Sequence, residues 1–267
     1  MLPCKLLSAC FVVAVVCLST TYAQLPFYTD DADTTSKRKF HFEFSNQHDW
    51  LQESAFPGRQ QNTSTFTLNY GLTDRIELGV NVPFSRIVND RTSRLGNPTG
   101  IGDTQFVVKV RLLEERERSK LPATTVVFYV DAPTGSARKQ IGSGLTDYGF
   151  YGVLQKSITK GTTARLNGGI LFAGNSSTGL IGIRTRGQVF TANGSLVRNF
   201  TPRLRLGAEL FGAVSSNFDL GRGQLVGQFG GGYGLSEKLE LTFGVLNGRF
   251  VASPRLGFQV GFAYDFD

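Results

Sequence analysis

A two-residue alternation of apolar and polar side chains recurs along almost the entire chain from residue 40 onward, and it constrains the fold more than any other feature. In the last segment the even positions from Leu256 to Phe266 are all apolar, whereas the odd positions from Arg255 to Asp265 are polar, charged, alanine or glycine. Because successive side chains of a β-strand point to opposite faces, this period predicts strands. About twelve strands are predicted, near 40–45, 65–70, 75–85, 105–112, 123–131, 147–157, 163–173, 187–198, 203–214, 223–234, 238–246 and 255–266.

The two faces of the predicted strands differ in charge. In the segments 75–85, 203–214, 238–246 and 255–266 the apolar face carries no charged residue, whereas the opposite face carries nine. Charged residues make up 18% of the chain, so a random distribution would place several on the apolar face. One face of the sheet is therefore expected to meet an apolar phase and the other to meet water.

The connections between the predicted strands alternate between short and long. Short turns lie at 72–74, 158–161, 200–202 and 235–237. Longer stretches rich in glycine, serine, asparagine and proline lie at 86–102, 132–146 and 174–186. This alternation indicates antiparallel hairpins with tight turns at one end of the sheet and longer loops at the other.

The first 23 residues are predicted to be a cleaved signal peptide. Lys5 supplies a positive charge, an apolar stretch follows at 6–18, and Thr21 and Ala23 place small residues before a cleavage site at Gln24. All three cysteines lie within this signal, so the exported chain is expected to contain none. We divide the chain into the signal peptide (1–23), an extended N-terminal segment (24–36) and a single barrel domain (37–267).

Alternation alone is compatible with two β architectures. A soluble sandwich points its apolar face inward, whereas a transmembrane barrel points it outward to lipid and turns the polar face to a wet lumen. Export without cysteine, the even strand count and the turn asymmetry favour the barrel. Hydrocarbon offers no hydrogen-bond partner to an edge strand, so the sheet must close on itself. We predict an all-β, closed antiparallel transmembrane β-barrel of about 12 strands with a narrow lumen.

Several short motifs resemble those of a known bacterial family. They are the stretch 26–33 before the first strand, Gly100-Ile101-Gly102-Asp103, Ala132-Pro133-Thr134-Gly135, and the glycine-rich stretch 142–147. Together they resemble the bacterial outer-membrane β-barrel family labelled as phenol-degradation MetA-pathway (transporter-like) proteins. The resemblance implies an outer-membrane barrel, and it supplies no catalytic residues to carry over.

Nine charged residues on the predicted polar faces are candidates for lining the lumen. They are Lys109, Arg111, Arg165, Arg205, Arg255, Glu43, Glu77, Glu209 and Glu240. Charged rings that line a pore select ions by sign, whereas pairs of opposite charge can simply stabilise the wall. The sequence leaves both roles open.

The remaining motifs give no support for catalysis. His41 and His48 are seven residues apart, so on one strand they point to opposite faces and cannot share a metal ion. Asp30, Asp31 and Asp33 lack the spacing of a calcium-binding loop, and we expect them to form a flexible acidic segment that touches the basic lumen. We therefore predict no enzyme activity, no metal and no cofactor.

A passive channel or transporter for small solutes, in the outer membrane of a Gram-negative-type bacterium, is the function that these features favour. The formal net charge of +7 favours anionic solutes, and the resemblance favours aromatic ones. The alternative is a structural or adhesive surface barrel with a plugged lumen and loops that bind. The expected partners are outer-membrane lipid, the barrel-insertion machinery and small solutes, with no nucleic acid.

Overall fold

The computed structural model describes residues 26–94, 96–116, 120–174 and 179–266. The predicted signal peptide and all three cysteines lie outside these ranges. Within them, no helix has the length and apolar character needed to span a bilayer. The helical content of the described residues consists of three single 3-10 turns, at Glu53–Ala55, Ala137–Lys139 and Leu220–Arg222.

The described part of the chain contains thirteen strands. They are β1 (Phe40–Leu51), β2 (Gly58–Thr73), β3 (Ile76–Asn89), β4 (Thr99–Ile101), β5 (Thr104–Leu113), β6 (Ala123–Ala132), β7 (Asp147–Thr159), β8 (Thr162–Ala173), β9 (Gly187–Asn199), β10 (Leu204–Ser215), β11 (Gln224–Gly234), β12 (Leu239–Arg249) and β13 (Pro254–Asp265).

The strands form one closed antiparallel ring. Neighbours in the chain pair with each other, and β1 pairs with β13 from His41 opposite Asp265 to Trp50 opposite Leu256. The short strand β4 and the longer β5 both pair with β3, so together they fill one position of the wall. The predicted closed barrel of 12 strands is therefore confirmed. The predicted loop 86–102 is shorter, because β3 continues to Asn89 and β4 lies within that range.

The two faces of the wall have the polarity predicted for a membrane barrel. Val108 and Phe258 are 37% and 45% exposed on the outside, whereas Lys109, the next residue after Val108, is 1% exposed. Phe106, Leu210, Phe229 and Val260 are likewise exposed. Apolar side chains therefore cover the outside of the barrel, and a sandwich with a dry apolar centre is excluded.

The two ends of the barrel differ. The tight turns β2–β3, β7–β8, β9–β10 and β11–β12 lie at one end together with the start of β1 and the end of β13; we call this the short-turn end. The connections β1–β2, β3–β4, β6–β7, β8–β9, β10–β11 and β12–β13 lie at the other, the loop end.

Candidate functional site in the barrel lumen

A described stretch of the chain ahead of β1 lies inside the barrel. Residues 26–36, which we call the N-terminal segment, include Thr29 and Ala32, both with no exposed surface. At one side of the lumen, Gln228 of β11 donates from Nε2 to the Pro26 carbonyl oxygen at 2.7 Å. At the other, the Thr35 backbone N–H donates to Oε2 of Glu77 on β3 at 2.5 Å. The segment therefore crosses the lumen before Lys37 pairs with Gly71 at the short-turn end.

Two buried carboxylates of the N-terminal segment share one lysine of the wall. The Lys109 ammonium on β5 lies 2.9 Å from Asp30 Oδ1 and 3.0 Å from Asp31 Oδ1. The Arg165 guanidinium on β8 lies 3.8 Å from Asp31 Oδ2, and the Tyr151 hydroxyl donates to Asp30 Oδ2 at 2.9 Å. A buried charge is tolerated only when it is paired and hydrogen-bonded, and this cluster meets both conditions.

A carboxylate of the wall holds the backbone of the N-terminal segment. Glu209 on β10 accepts hydrogen bonds from the Tyr28 and Thr29 backbone N–H groups at 2.9 and 2.8 Å. The Thr29 hydroxyl adds a third donor at 2.7 Å. Tyr28 and Thr29 are not part of a strand, so their N–H groups have no backbone acceptor in a neighbouring strand. The Glu209 carboxylate supplies the acceptor for both.

An apolar contact completes the anchoring of the N-terminal segment. Ala32 packs in one buried cluster with Val127 of β6 and Val153 of β7. The Thr125 hydroxyl donates to the Ala32 carbonyl oxygen at 2.7 Å. A residue larger than alanine would have to displace these wall side chains, so the small residue between Asp31 and Asp33 is required by packing.

The sequence-based expectation of a flexible acidic segment is corrected by this arrangement. Asp30 and Asp31 are 8% and 3% exposed and make ion pairs, so the segment is packed into the lumen. Asp33 differs from them, because its side chain is 63% exposed and the Arg111 guanidinium is 3.9 Å away. The physical reason is the buried Lys109, whose charge is compensated only when the two carboxylates are inside.

Apart from Arg111, the candidate lumen residues fall into four places. Arg205 of β10 pairs with Glu240 of β12, with Nε 2.6 Å from Oε1, and so links two strands across β11. Glu43 Oε1 lies 3.0 Å from His41 Nε2 on β1, and Glu43 also lines the cavity described below. Arg255 is exposed, next to the first residue of β13 at the loop end. Lys109, Arg165, Glu77 and Glu209 contact the N-terminal segment directly.

On the loop side of the N-terminal segment the lumen widens into a cavity of about 660 Å³, which we call the loop-side chamber. Its floor is formed by Pro26, Phe27 and Tyr28, and serine, threonine, asparagine and glutamine make up half of the residues in its wall. Four acidic residues also line it: Glu43, Asp49, Asp103 and Asp131. The last three were not among the predicted lumen residues: Asp103 and Asp131 lie beside or on a predicted strand, whereas Asp49 lies beyond the end of the predicted first strand.

The described part of the β8–β9 loop, residues 179–186, covers part of the chamber's mouth. The Leu180 backbone N–H donates to Gln61 Oε1 on β2 at 2.9 Å, and Leu180 packs against Leu51 and Ile87. Ile181 lines the chamber itself. Since β2 and β8 are far apart in the ring, this loop crosses the mouth and narrows it.

Comparisons with known proteins agree with this architecture. The model of a family described as "Putative MetA-pathway of phenol degradation" matches residues 60–266. A search of curated proteins gives no match. Among solved structures, the chain is similar to the COG4313 outer membrane channel from Pseudomonas putida F1, with a TM-score of 0.66 and 15% identity over 88% of this chain and 98% of that one.

Two porins are also similar in fold. The KdgM porin gives a TM-score of 0.56 with 13% identity, over 85% of this chain and 99% of that one. The NanC porin gives a TM-score of 0.57 with 10% identity, over 85% of this chain and 100% of that one. At such low identity these likenesses concern the fold alone.

Proposed function

Since the chain belongs to the family described as "Putative MetA-pathway of phenol degradation", we propose that it is a passive outer-membrane channel for small solutes, with its own N-terminal segment as the constriction. It is exported through the cleaved signal 1–23 and inserted into the outer membrane by the barrel-insertion machinery. Solutes cross by diffusion through the polar lumen. The proposal assigns the barrel no catalytic step and no cofactor.

The observation that carries this proposal is that the wall is complete without the N-terminal segment. Every position of the ring is hydrogen-bonded to its two neighbours, including the β1–β13 seam. Within residues 26–36 the segment is held by side chains of the wall, through contacts such as Lys109 to Asp31 and Glu209 to Thr29. It can therefore leave the lumen without breaking the barrel, and the vacated space joins the chamber to the short-turn end.

Planar-bilayer recordings test this function. The mature protein and a variant lacking residues 26–35 would be refolded and checked for folding by heat-dependent gel migration. We expect small or brief conductance from the complete protein and a larger, persistent conductance from the deletion variant. A deletion variant that is folded yet conducts no more than the complete protein would contradict the proposal.

The occupied lumen also favours a second candidate, a structural or adhesive barrel that stays plugged. Lys109, Arg165 and Glu209 hold the N-terminal segment from three sides, as a permanent plug requires. The complete protein would then show no conductance and no solute flux at any applied voltage, although the deletion variant conducts. Flux of a small solute into liposomes carrying the complete protein would exclude this candidate.

A further inference from the structure

Resting on the proposed channel function, we propose that the loop-side chamber binds small organic ammonium ions, through the Asp49 carboxylate and the aromatic ring of Tyr28. The positive net charge of the whole chain predicts anionic solutes. The charges that line the chamber have the opposite sign.

Asp49 is a buried carboxylate that lacks a cation. It is 2% exposed on β1 and lines the chamber. Its oxygens accept from Gln47 Nε2 at 3.0 and 2.9 Å, and within the described ranges no lysine, arginine or histidine nitrogen lies within ion-pair distance of it. Burial of an unpaired carboxylate is costly, and a cation in the chamber would offset that cost by pairing with Asp49. Lys109 plays the same part for Asp30 and Asp31.

An aromatic surface lies beside this carboxylate. The Tyr28 hydroxyl donates to Gln47 Oε1 at 2.6 Å, so Tyr28, Gln47 and Asp49 form one hydrogen-bonded row. The Tyr28 ring packs against Phe211 with ring centroids 4.6 Å apart, and both residues line the chamber. Aromatic faces attract ammonium groups, and apolar substituents on the nitrogen pack against the same rings. Carboxylate and rings together fit an alkylated ammonium better than a bare metal ion.

The other charges around the chamber do not cancel this attraction. Its described lining contains no lysine, arginine or histidine. Asp103 accepts from the backbone N–H groups of Gly135 and Ser143, and Asp131 accepts from Gln105 Nε2 at 2.9 Å. The basic residues Lys109 and Arg165 engage the N-terminal segment beneath the floor. The chamber volume of about 660 Å³ is also suited to a small organic molecule.

Calorimetric titration of the refolded mature protein with two probes tests the inference. The probes are choline and 3,3-dimethylbutan-1-ol, which has the same shape but a carbon in place of the charged nitrogen. We expect choline to bind about tenfold more tightly than the alcohol. Asp49→Asn should abolish most of this preference. Glu53→Gln is the matched control, because it removes an acidic charge from an exposed turn at the same end of the barrel and should leave the preference unchanged.

A second variant keeps the test decisive if Asp49→Asn fails to fold. Tyr28→Leu retains the carboxylate and removes the ring, so the choline preference should fall several-fold. Equal affinity for the two probes, no binding of either, or an unchanged preference in folded Asp49→Asn would overturn the inference. The titration needs no open channel: choline preference without conductance would remove the channel function alone, and conductance without choline preference would remove this inference alone.

Discussion

For Lys109, the alternating pattern predicts the face of the sheet on which the side chain lies but not its ion-pair partners. The period of two places Lys109 on the polar face, and the structure buries it in the lumen. Its partners Asp30 and Asp31 are 79 and 78 residues away in the chain. No local pattern carries information over that distance, so the face of Lys109 could be predicted from the sequence whereas its ion pairs could not.

Replacing Lys109 should release the N-terminal segment. Lys109→Met leaves two buried carboxylates without their main counter-charge, which disfavours the packed arrangement by about 3–5 kcal/mol. We expect higher conductance in planar bilayers and faster protease cleavage of residues 26–36.

Lys156→Met is the matched control for this variant. The Lys156 ammonium lies 2.6 Å from Glu115 in a partly exposed pair. Burial opposes ionisation of Glu115, but hydrogen bonds from Lys156 and Ser157 outweigh it and lower the pKa of this carboxyl. Loss of such a pair costs about 0–1 kcal/mol, and conductance should not change. Equal conductance of the two variants would contradict the assigned role of Lys109.

The outward position of Val108 gives a second prediction for a single residue. Val108→Arg places a charge on the lipid-facing surface of β5 and should lower the free energy of unfolding by about 2–4 kcal/mol near the bilayer midplane. Denaturant titration in lipid vesicles measures this. Val108→Leu keeps an apolar side chain and should change the free energy by much less. A fully tolerated arginine would contradict the assignment of the outer face.

Predicted strand bounds agree with the structure in the middle of the wall and fall short of it toward the loop end. The prediction for β2 begins at 65, whereas the strand begins at Gly58. The intervening residues contain no apolar side chain, so they show no alternation. This part of the strand lies toward the loop end, beyond the apolar part of the wall, where both faces are polar. The pattern therefore reports the portion of a strand that lies in lipid rather than its full length.

The alternating pattern of apolar and polar residues could not predict the position of the N-terminal segment in the lumen. It forms no strand within 26–36, and its contacts with β5, β6, β8 and β10 are all distant in sequence. Its Asp-rich composition indicated only attraction to basic residues. Ala32 is a small residue between two acidic neighbours, and the need for a small side chain there becomes visible only from its packing against Val127 and Val153.

A disulfide that fixes the N-terminal segment should keep the channel closed. Ala32 and Val127 pack in one cluster, so the smaller cysteine at 127 makes room for the larger one at 32. Because the exported chain is predicted to contain no cysteine, the pair Ala32→Cys and Val127→Cys introduces a single possible bridge. Combined with Lys109→Met, the oxidised protein should lose the conductance increase, and a reductant should restore it. Each single-cysteine variant serves as control. A high conductance that persists after confirmed oxidation would show that the segment is not the constriction.

At the scale of the whole molecule, closure of the ring predicts resistance to detergent. The β1–β13 seam leaves the wall without a free edge, so sodium dodecyl sulfate at room temperature should leave the barrel compact. We expect faster gel migration of the unheated sample than of the boiled one. Identical migration of the two samples from native membranes would contradict a closed barrel.

The ring as a whole could be predicted because its strands are linked by chain neighbours. Each hairpin pairs two consecutive segments, and among the strand pairings of the described wall only β1–β13 joins distant parts of the chain. The strand count and the antiparallel order therefore follow from local alternation and turn lengths. The contents of the lumen do not, because they depend on distant contacts such as Gln228 with Pro26.

The N-terminal segment and the loop-side chamber are reached from opposite ends of the barrel. The N-terminal segment is tethered to β1 where Lys37 meets Gly71, at the short-turn end, whereas the chamber opens among the loops. A force on the connection to β1 would act from the short-turn side of the membrane. A solute that enters the chamber from the loop side would contact the N-terminal segment only at Pro26, Phe27 and Tyr28. Under the proposed function, release of the N-terminal segment would be controlled from the short-turn side of the membrane and solute binding from the loop side.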